Sequence, residues 1–241
     1  MKYLVEMPAL REIEFYWSNP ESFPFSSALC TLRDRAKYHH NKLLQCINDP
    51  VYEQLARDLV TRKTEDPSLF MDRQFQLGKI IDPELAAMFQ ALRYQFDIFA
   101  QIINVELLDP PKERHSFSVA FKKIGNLIPD SKLKSLMEQI KEDSVFIYLD
   151  EFVNTTKHVM IPGVNSWSAS GDEERMISGT RISEFQRQNT VAEKELVWAV
   201  EDVKPWVDQS IKDLAAALKE SQIKKLNDSG EEWNSQDFLS N

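Results

Sequence analysis

Glycine is scarce in this chain of 241 residues, which contains six. Sheet-rich folds and nucleotide-binding loops depend on glycine where the backbone turns sharply or approaches a phosphate. The chain also has no Gly-rich nucleotide-binding motif, so no cofactor is expected. The low glycine content favours a helical fold.

Long apolar runs and an excess of basic residues are absent as well. No run reaches about 18 apolar residues, the length that a transmembrane helix needs, so no membrane association is expected. The net charge is −9, whereas a broad grip on DNA requires a basic face. These observations exclude a DNA-wide basic surface but leave a local basic patch open.

Cysteine and histidine give no sign of a disulfide or a metal site. Cys30 and Cys46 are the two cysteines, and neither is in a Cys-x-x-Cys pair. On one helix they would lie roughly 24 Å apart, too far to bridge. The four histidines form no His-x-x-x-His or Glu-x-x-His motif, so no metal is expected. Both thiols are expected to be reduced, and the N-terminus becomes acidic too early in the sequence to be a secretory signal. The chain is therefore predicted to be cytoplasmic.

Apolar residues at steps of three and four predict several helices. Residues 1–25 are predicted to form an extended arm or short strand. The first two predicted helices run from Ser26 or Ser27 to about Ile47 and from Pro50 to about Arg62. The third begins at Asp82-Pro83-Glu84 and ends at Asp109-Pro110-Pro111, and a short one covers about 116–125. The longest covers 131–160, and the last runs from Thr190 to Leu226 with a kink at Pro205.

Two strand-like stretches near 159–169 and 174–186 flank Gly171-Asp172 and predict a β-hairpin. The predicted fold is therefore mainly α, a helical bundle of four or more helices with a small β-hairpin between the last two helices, at about 159–186. Residues 1–226 are expected to form a single domain. Residues 227–241 contain four acids and no Lys or Arg, which predicts a flexible acidic tail.

The densest polar cluster lies at the end of the 131–160 pattern. Asp150, Asn154 and His158 are four residues apart and share one helix stripe, with Lys157 beside them. His158 is suited to general acid or base chemistry, and Lys157 to holding an anion. The alternative is a helix C-terminus whose cations complement the helix dipole, with Asn154 bonded to a neighbouring element.

The stretch Leu149–His158 resembles bacterial helical proteins that carry an Asn-Thr-x-Lys-His signature, here Asn154-Thr155-Thr156-Lys157-His158, followed by a hairpin and a final helix. It is similar, more distantly, to HEPN domains, four-helix bundles of toxin–antitoxin and phage-defence RNases. Their signature is often Arg-Asn-x-x-x-His. Asn154 and His158 match it, but Val153 stands at the arginine position, and valine cannot stabilise charge on a scissile phosphate.

The first predicted helix contains a second set of candidates. Arg35 and His40 fit the looser Arg-x4-His spacing, and Arg33 with His39 fits Arg-x5-His. His39 shares a stripe with apolar residues, which predicts a partly buried histidine. Arg33, Arg35 and His40 are therefore the candidate binding residues.

Two functions follow from these patterns. The first is a non-catalytic, HEPN-like binding or interaction protein, whose polar cluster is structural or binds a small anion or an RNA end. The second is a metal-independent endoribonuclease of a toxin or phage-defence type. There His158 would be the acid/base, with positive charge from Arg33, Arg35 or Lys157, in one chain or across a dimer. RNA or protein is the expected partner, and exposed helical faces allow a homodimer.

Overall fold

The computed structural model of the protein describes residues 20–61, 63, 66–108, 111, 128, 131–158, 161–170, 176–186 and 190–228. Most of the predicted N-terminal arm, the helix expected at 116–125 and the acidic tail beyond residue 228 lie outside these residues. Those three predictions stay predictions, except that the extended arm is wrong for residues 20–25, where the 3-10 turn and the start of the first helix at Phe23 make the chain helical.

Helices dominate the described residues, so the predicted mainly α fold is confirmed. A 3-10 turn at Pro20–Ser22 leads into the first helix. The helices are α1 (Phe23–Ile47), α2 (Pro50–Val60), α3 (Ser68–Leu107), α4 (Ser131–Glu142), α5 (Ser144–His158), α6 (Leu196–Trp198), a π-helical segment (Ala199–Val203) and α7 (Lys204–Asp228). Within the described ranges, no helix is both long enough and apolar enough to cross a membrane.

Helix α3 starts well before the position predicted from Asp82-Pro83, and it is the longest helix described. It begins at Ser68 and passes through Pro83. The buried residues Phe70, Leu77 and Ile81 continue its apolar stripe on the N-terminal side of the proline. Proline deprives the carbonyl four residues earlier of its partner, but Pro83 and Lys79 are both exposed, where water can satisfy that carbonyl. Burial of the stripe therefore outweighs the break.

The single helix predicted over 131–160 is wrong, because two helices meet at Asp143. The Asp143 side chain accepts a hydrogen bond from the Val145 backbone N–H at 2.7 Å. Its carbonyl accepts another from the Ile147 N–H at 3.0 Å. This is the geometry of an N-cap, so Asp143 starts a new helix, α5.

The predicted hairpin is confirmed. Strands β1 (Val164–Ser170) and β2 (Met176–Ile182) pair antiparallel, with Val164 opposite Ile182. The short strand β5 (Lys194–Glu195) adds to the other edge of β2. Strands β3 (Phe185–Gln186) and β4 (Thr190–Val191) form a separate two-stranded pair.

The last long helix does not begin at Thr190 as predicted. Residues 190–191 and 194–195 belong to strands, and helical structure begins at Leu196. The interruption expected at Pro205 takes the form of the π-helical segment Ala199–Val203. Proline cannot donate a backbone hydrogen bond, and a π-helix replaces i→i+4 bonds with i→i+5 bonds.

The chain divides into two compact units. Among the described residues, unit 1 comprises 20–34, 92–108, 111, 128, 131–147 and 207–228, and unit 2 comprises 35–61, 63, 66–91, 148–158, 161–170, 176–186 and 190–206. In unit 1 the core includes Phe96, which meets Phe146 edge-on at 5.3 Å. In unit 2 it includes Phe89, which meets Phe152 edge-on at 4.8 Å. A single domain over 1–226 remains a prediction.

Candidate functional site

The end of α5 carries the polar cluster predicted from the sequence. Asp150 and Asn154 are both half-buried, and the Asn154 amide donates to Asp150 Oδ2 at 3.1 Å. They lie one helical turn apart, so the bond runs along α5 rather than to a neighbouring element. The structure therefore brings these two residues together as an intrahelical pair.

Lys157 and His158 are the last two residues of α5, and both are exposed. Within the residues that the structure describes, the His158 imidazole has no hydrogen-bond or ion-pair partner. The last turn of a helix is the negative end of its dipole, where cationic side chains are favourable. This placement fits the helix-end interpretation of the pair.

The other positions of the motif face inward. Val153 is 1% exposed and Thr155 is 1% exposed. Thr156 returns its hydroxyl to the Phe152 carbonyl at 2.9 Å. At 3.6 residues per turn, Val153 and His158 point about 140° apart around the helix axis. The residue in the HEPN arginine position thus belongs to the core, on a different side of α5 from the histidine.

An aromatic cluster in unit 2 fixes the inner face of α5. Tyr148 meets Trp198 at 4.8 Å and Phe185 at 5.6 Å, both edge-on. Phe152 meets Phe185 at 5.7 Å in the same way. Burial raises the pKa of the Tyr148 phenol, so this hydroxyl stays neutral at ordinary pH. These rings orient α5 and therefore determine which of its residues reach solvent.

The first-helix candidates do not form one site. Arg33 is half-buried and belongs to unit 1, whereas Arg35 is exposed and His40 half-buried in unit 2. His39 is half-buried, as predicted, and its Nδ1 lies 2.6 Å from Glu84 Oε2. This bond joins α1 to α3 inside unit 2.

His40 contacts the π-helical segment, since its Nε2 lies 3.2 Å from the Val200 carbonyl oxygen. In an i→i+5 register the donor to this carbonyl would be residue 205, which is proline and has no N–H. A protonated Nε2 supplies the missing donor. His40 therefore stabilises the backbone of the π-helical segment, and its ring is half-buried.

Cys46 is the one buried thiol among the described residues, and it is not arranged as a nucleophile. Burial raises the pKa of its thiol, and the nearby Asp49 and Glu84 carboxylates raise it further. The thiolate is the reactive form of cysteine, so these surroundings suppress its reactivity. Cys30 and Cys46 are both free thiols, as predicted from their spacing.

Two hydrogen-bonded carboxylates were missed in the sequence. Asp82, half-buried in α3, accepts the Val164 backbone N–H at 3.1 Å and so ties the start of β1 to α3. Glu106, 2% exposed in unit 1, accepts hydrogen bonds from Ser22 Oγ and from Gln222 Nε2. The signal for Glu106 was an acid inside an otherwise apolar run. The signal for Asp82 was present, but it was interpreted as a helix cap.

No group of three or more His, Cys, Asp or Glu side chains in the described ranges is placed to hold a metal ion. No protein-family model, curated protein or solved structure matches the chain significantly. The geometry within each unit is therefore the basis for assigning a function.

Proposed function

We propose that the chain is a non-catalytic, HEPN-like binding protein that acts in the cytoplasm. The observation that carries this proposal is the burial of Val153, which is 1% exposed. A HEPN ribonuclease needs a cation at this position to stabilise charge on the scissile phosphate. A side chain packed in the core offers no such cation to a substrate.

The surroundings of His158 support the same proposal. An acid/base histidine is held in a defined orientation by a second group, and it acts where water is partly excluded. His158 is exposed at the last residue of α5, without a hydrogen-bond partner in the described part of the chain. Asn154, which would orient the ring in an enzyme, donates to Asp150 instead.

The proposal predicts that the protein does not cleave RNA. Purified wild type and His158→Ala are incubated with total RNA in EDTA, and the RNA is resolved on a denaturing gel. We expect intact RNA with both proteins, because His158 has no partner among the described residues that orients it and the arginine position of the motif is the buried Val153. Both proteins should also unfold at urea midpoints that differ little, since exposed substitutions usually change stability by less than about 0.5 kcal/mol.

Cleavage by the wild type that disappears in His158→Ala would contradict the proposal and support the endoribonuclease alternative. In that case Lys157→Ala separates the two charge sources considered for the enzyme. Loss of cleavage in Lys157→Ala assigns the phosphate contact to α5, and retained cleavage assigns it to an arginine from α1 of the same or a partner chain.

A further inference from the structure

The exposed side of α1 in unit 2 combines positive charge with an aromatic ring. Arg35 and Tyr38 are exposed and Lys42 is half-buried, and their steps of three and four place them along one stripe of the helix. Tyr38 is 55% exposed, so its ring is accessible to a partner. We call Arg35, Tyr38 and Lys42 the α1 stripe.

The ring of Tyr38 is held in place from two sides. Lys42 Nζ lies 5.9 Å from the ring centroid, within the range of a cation–π contact. His39 meets the ring edge-on at 5.1 Å, and His39 is itself bonded to Glu84. A solvent-facing ring that is already ordered loses little conformational freedom when a flat partner stacks on it.

Charge around the α1 stripe differs from that of the whole molecule. Between Asp34 and Asn48 the chain contains three Lys or Arg residues and one acid, Asp34, although the net charge of the protein is −9. The acidic Glu201 and Asp202 follow Val200 in the sequence, and the Val200 carbonyl contacts His40. His40 lies about 160° around the α1 axis from Tyr38, so this contact is on the opposite side of the helix from the stripe. The stripe therefore presents local positive charge that these acids do not face.

We propose that the α1 stripe is a binding surface for single-stranded RNA, with a base stacked on Tyr38 and phosphates at Arg35 and Lys42. Single-stranded nucleic acid is recognised by aromatic rings on which bases stack and by cations that follow the backbone. An acidic peptide would use the cations but leave the exposed ring without a matching group. The inference rests on the proposed function, because the RNA is to be bound and not cleaved.

The test is a titration of the full-length protein into a fluorescein-labelled oligouridylate of about twelve nucleotides, followed by fluorescence anisotropy at low salt. We expect saturable binding by the wild type. Tyr38→Ala should weaken binding about tenfold through loss of stacking, whereas Tyr38→Phe should retain it. Arg35→Glu combined with Lys42→Glu should weaken binding by at least about a hundredfold, because two contacts become repulsive.

A matched control pair exists on α3. Phe75 is 65% exposed, and Lys79 Nζ lies 4.3 Å from its ring centroid, so the pair repeats the aromatic–cation chemistry at the same spacing. Asp72 and Asp82 lie within one turn of this pair and equal Arg73 and Lys79 in number, whereas cations outnumber acids around the α1 stripe. Phe75→Ala and Lys79→Glu should each leave the dissociation constant for the oligouridylate within about twofold of the wild-type value, because these side chains are remote from the proposed contact.

Three results would overturn the inference: no binding by the wild type, equal losses in the α1 and α3 variants, or tighter binding to a labelled oligoglutamate than to the RNA. Circular dichroism of every variant confirms that the losses do not come from unfolding. The bound RNA is then run on a gel. Binding with intact RNA supports both proposals, absence of binding with intact RNA contradicts the stripe alone, and cleavage lost in His158→Ala contradicts the proposed function alone.

Discussion

Asp82 is a half-buried carboxylate that combines a useful hydrogen bond with an unfavourable charge. It accepts the Val164 N–H at 3.1 Å. Burial raises the pKa of this carboxyl above its usual value of 3.8, and the hydrogen bond opposes that shift only in part. A raised pKa in the folded state contributes stability below the unfolded pKa, and this contribution is lost as pH rises through the folded pKa.

The difference in free energy of unfolding between Asp82→Asn and the wild type is therefore expected to be more favourable to the variant at neutral pH than near pH 4. The asparagine carbonyl can still accept the Val164 N–H, but no charge has to be desolvated. Urea unfolding of wild type and variant at about pH 4 and about pH 7 measures this difference. The free energy of unfolding should change in favour of the variant as pH increases.

Asp82→Ala is the control for the hydrogen bond itself. It leaves the Val164 N–H without its acceptor and should be about 1 kcal/mol less stable than Asp82→Asn at either pH. An Asp82→Asn protein that loses as much stability at neutral pH as Asp82→Ala would contradict this account of the carboxylate.

At the scale of elements, the π-helical segment Ala199–Val203 depends on two residues that are distant in sequence. Pro205 leaves the Val200 carbonyl without a backbone donor in the i→i+5 register, and His40 Nε2 lies 3.2 Å from that oxygen. The contact joins α1 to the start of the last helix within unit 2.

A double-mutant cycle between His40 and Pro205 tests this dependence. His40→Ala should lower the free energy of unfolding by about 1 kcal/mol in the wild type, since it leaves a buried carbonyl unsatisfied. In a Pro205→Ala background the cost should fall to within about 0.3 kcal/mol of zero, because the new N–H of residue 205 can then donate to the Val200 carbonyl. Urea unfolding of the four proteins gives the coupling.

His39→Ala is the matched control for that cycle. Its partner is Glu84, not the π-helical segment, so the cost of the substitution should be the same with proline or alanine at position 205. Equal costs of His40→Ala in both backgrounds would show that His40 does not replace the missing N–H.

The elements that could be predicted from the sequence are those in which local preference and burial agree. Asp49-Pro50 predicts the start of α2, where the Asp49 side chain accepts the Tyr52 N–H at 2.7 Å. Gly171-Asp172 likewise predicts a hairpin, and β1 pairs with β2 on either side of it. Pro83 and Asp143 were misjudged because each involves a competition. Tertiary burial continues α3 through a proline, and a local cap divides 131–158.

The candidate site was predictable in its spacing but not in its orientation. Periodicity correctly placed Asp150, Asn154 and His158 along one stripe of a helix. It did not reveal that Asn154 bonds to Asp150, nor that Thr155 in the same motif is buried. Those facts depend on which side of α5 meets Phe89 and Phe185, aromatic residues that are far away in the sequence.

At the scale of the whole molecule, binding of RNA has to overcome a net charge of −9. The two phosphate contacts at Arg35 and Lys42 should release roughly 1.4 counterions from a single strand, at about 0.7 per contact. The oligouridylate affinity is therefore expected to fall roughly sevenfold between about 50 and 200 mM salt. Anisotropy titrations at several salt concentrations measure the slope.

The variant Arg35→Glu with Lys42→Glu supplies the comparison for this slope. It should show a shallower salt dependence as well as weaker binding, because fewer phosphates are neutralised. A wild-type affinity that does not change with salt would mean that the complex forms without phosphate contacts, contrary to the proposed role of the α1 stripe.

The π-helical segment also affects how this fold can change in length. A π-helical turn contains one residue more than the α-helical turn it replaces, and such turns are usually single insertions within an otherwise regular helix. Deleting one residue within Ala199–Val203 would return the backbone to α-helical spacing, while Leu196 on one side and Val207 on the other keep their buried faces. Among related chains, a one-residue difference in length is therefore expected in this segment before any other part of the last helix.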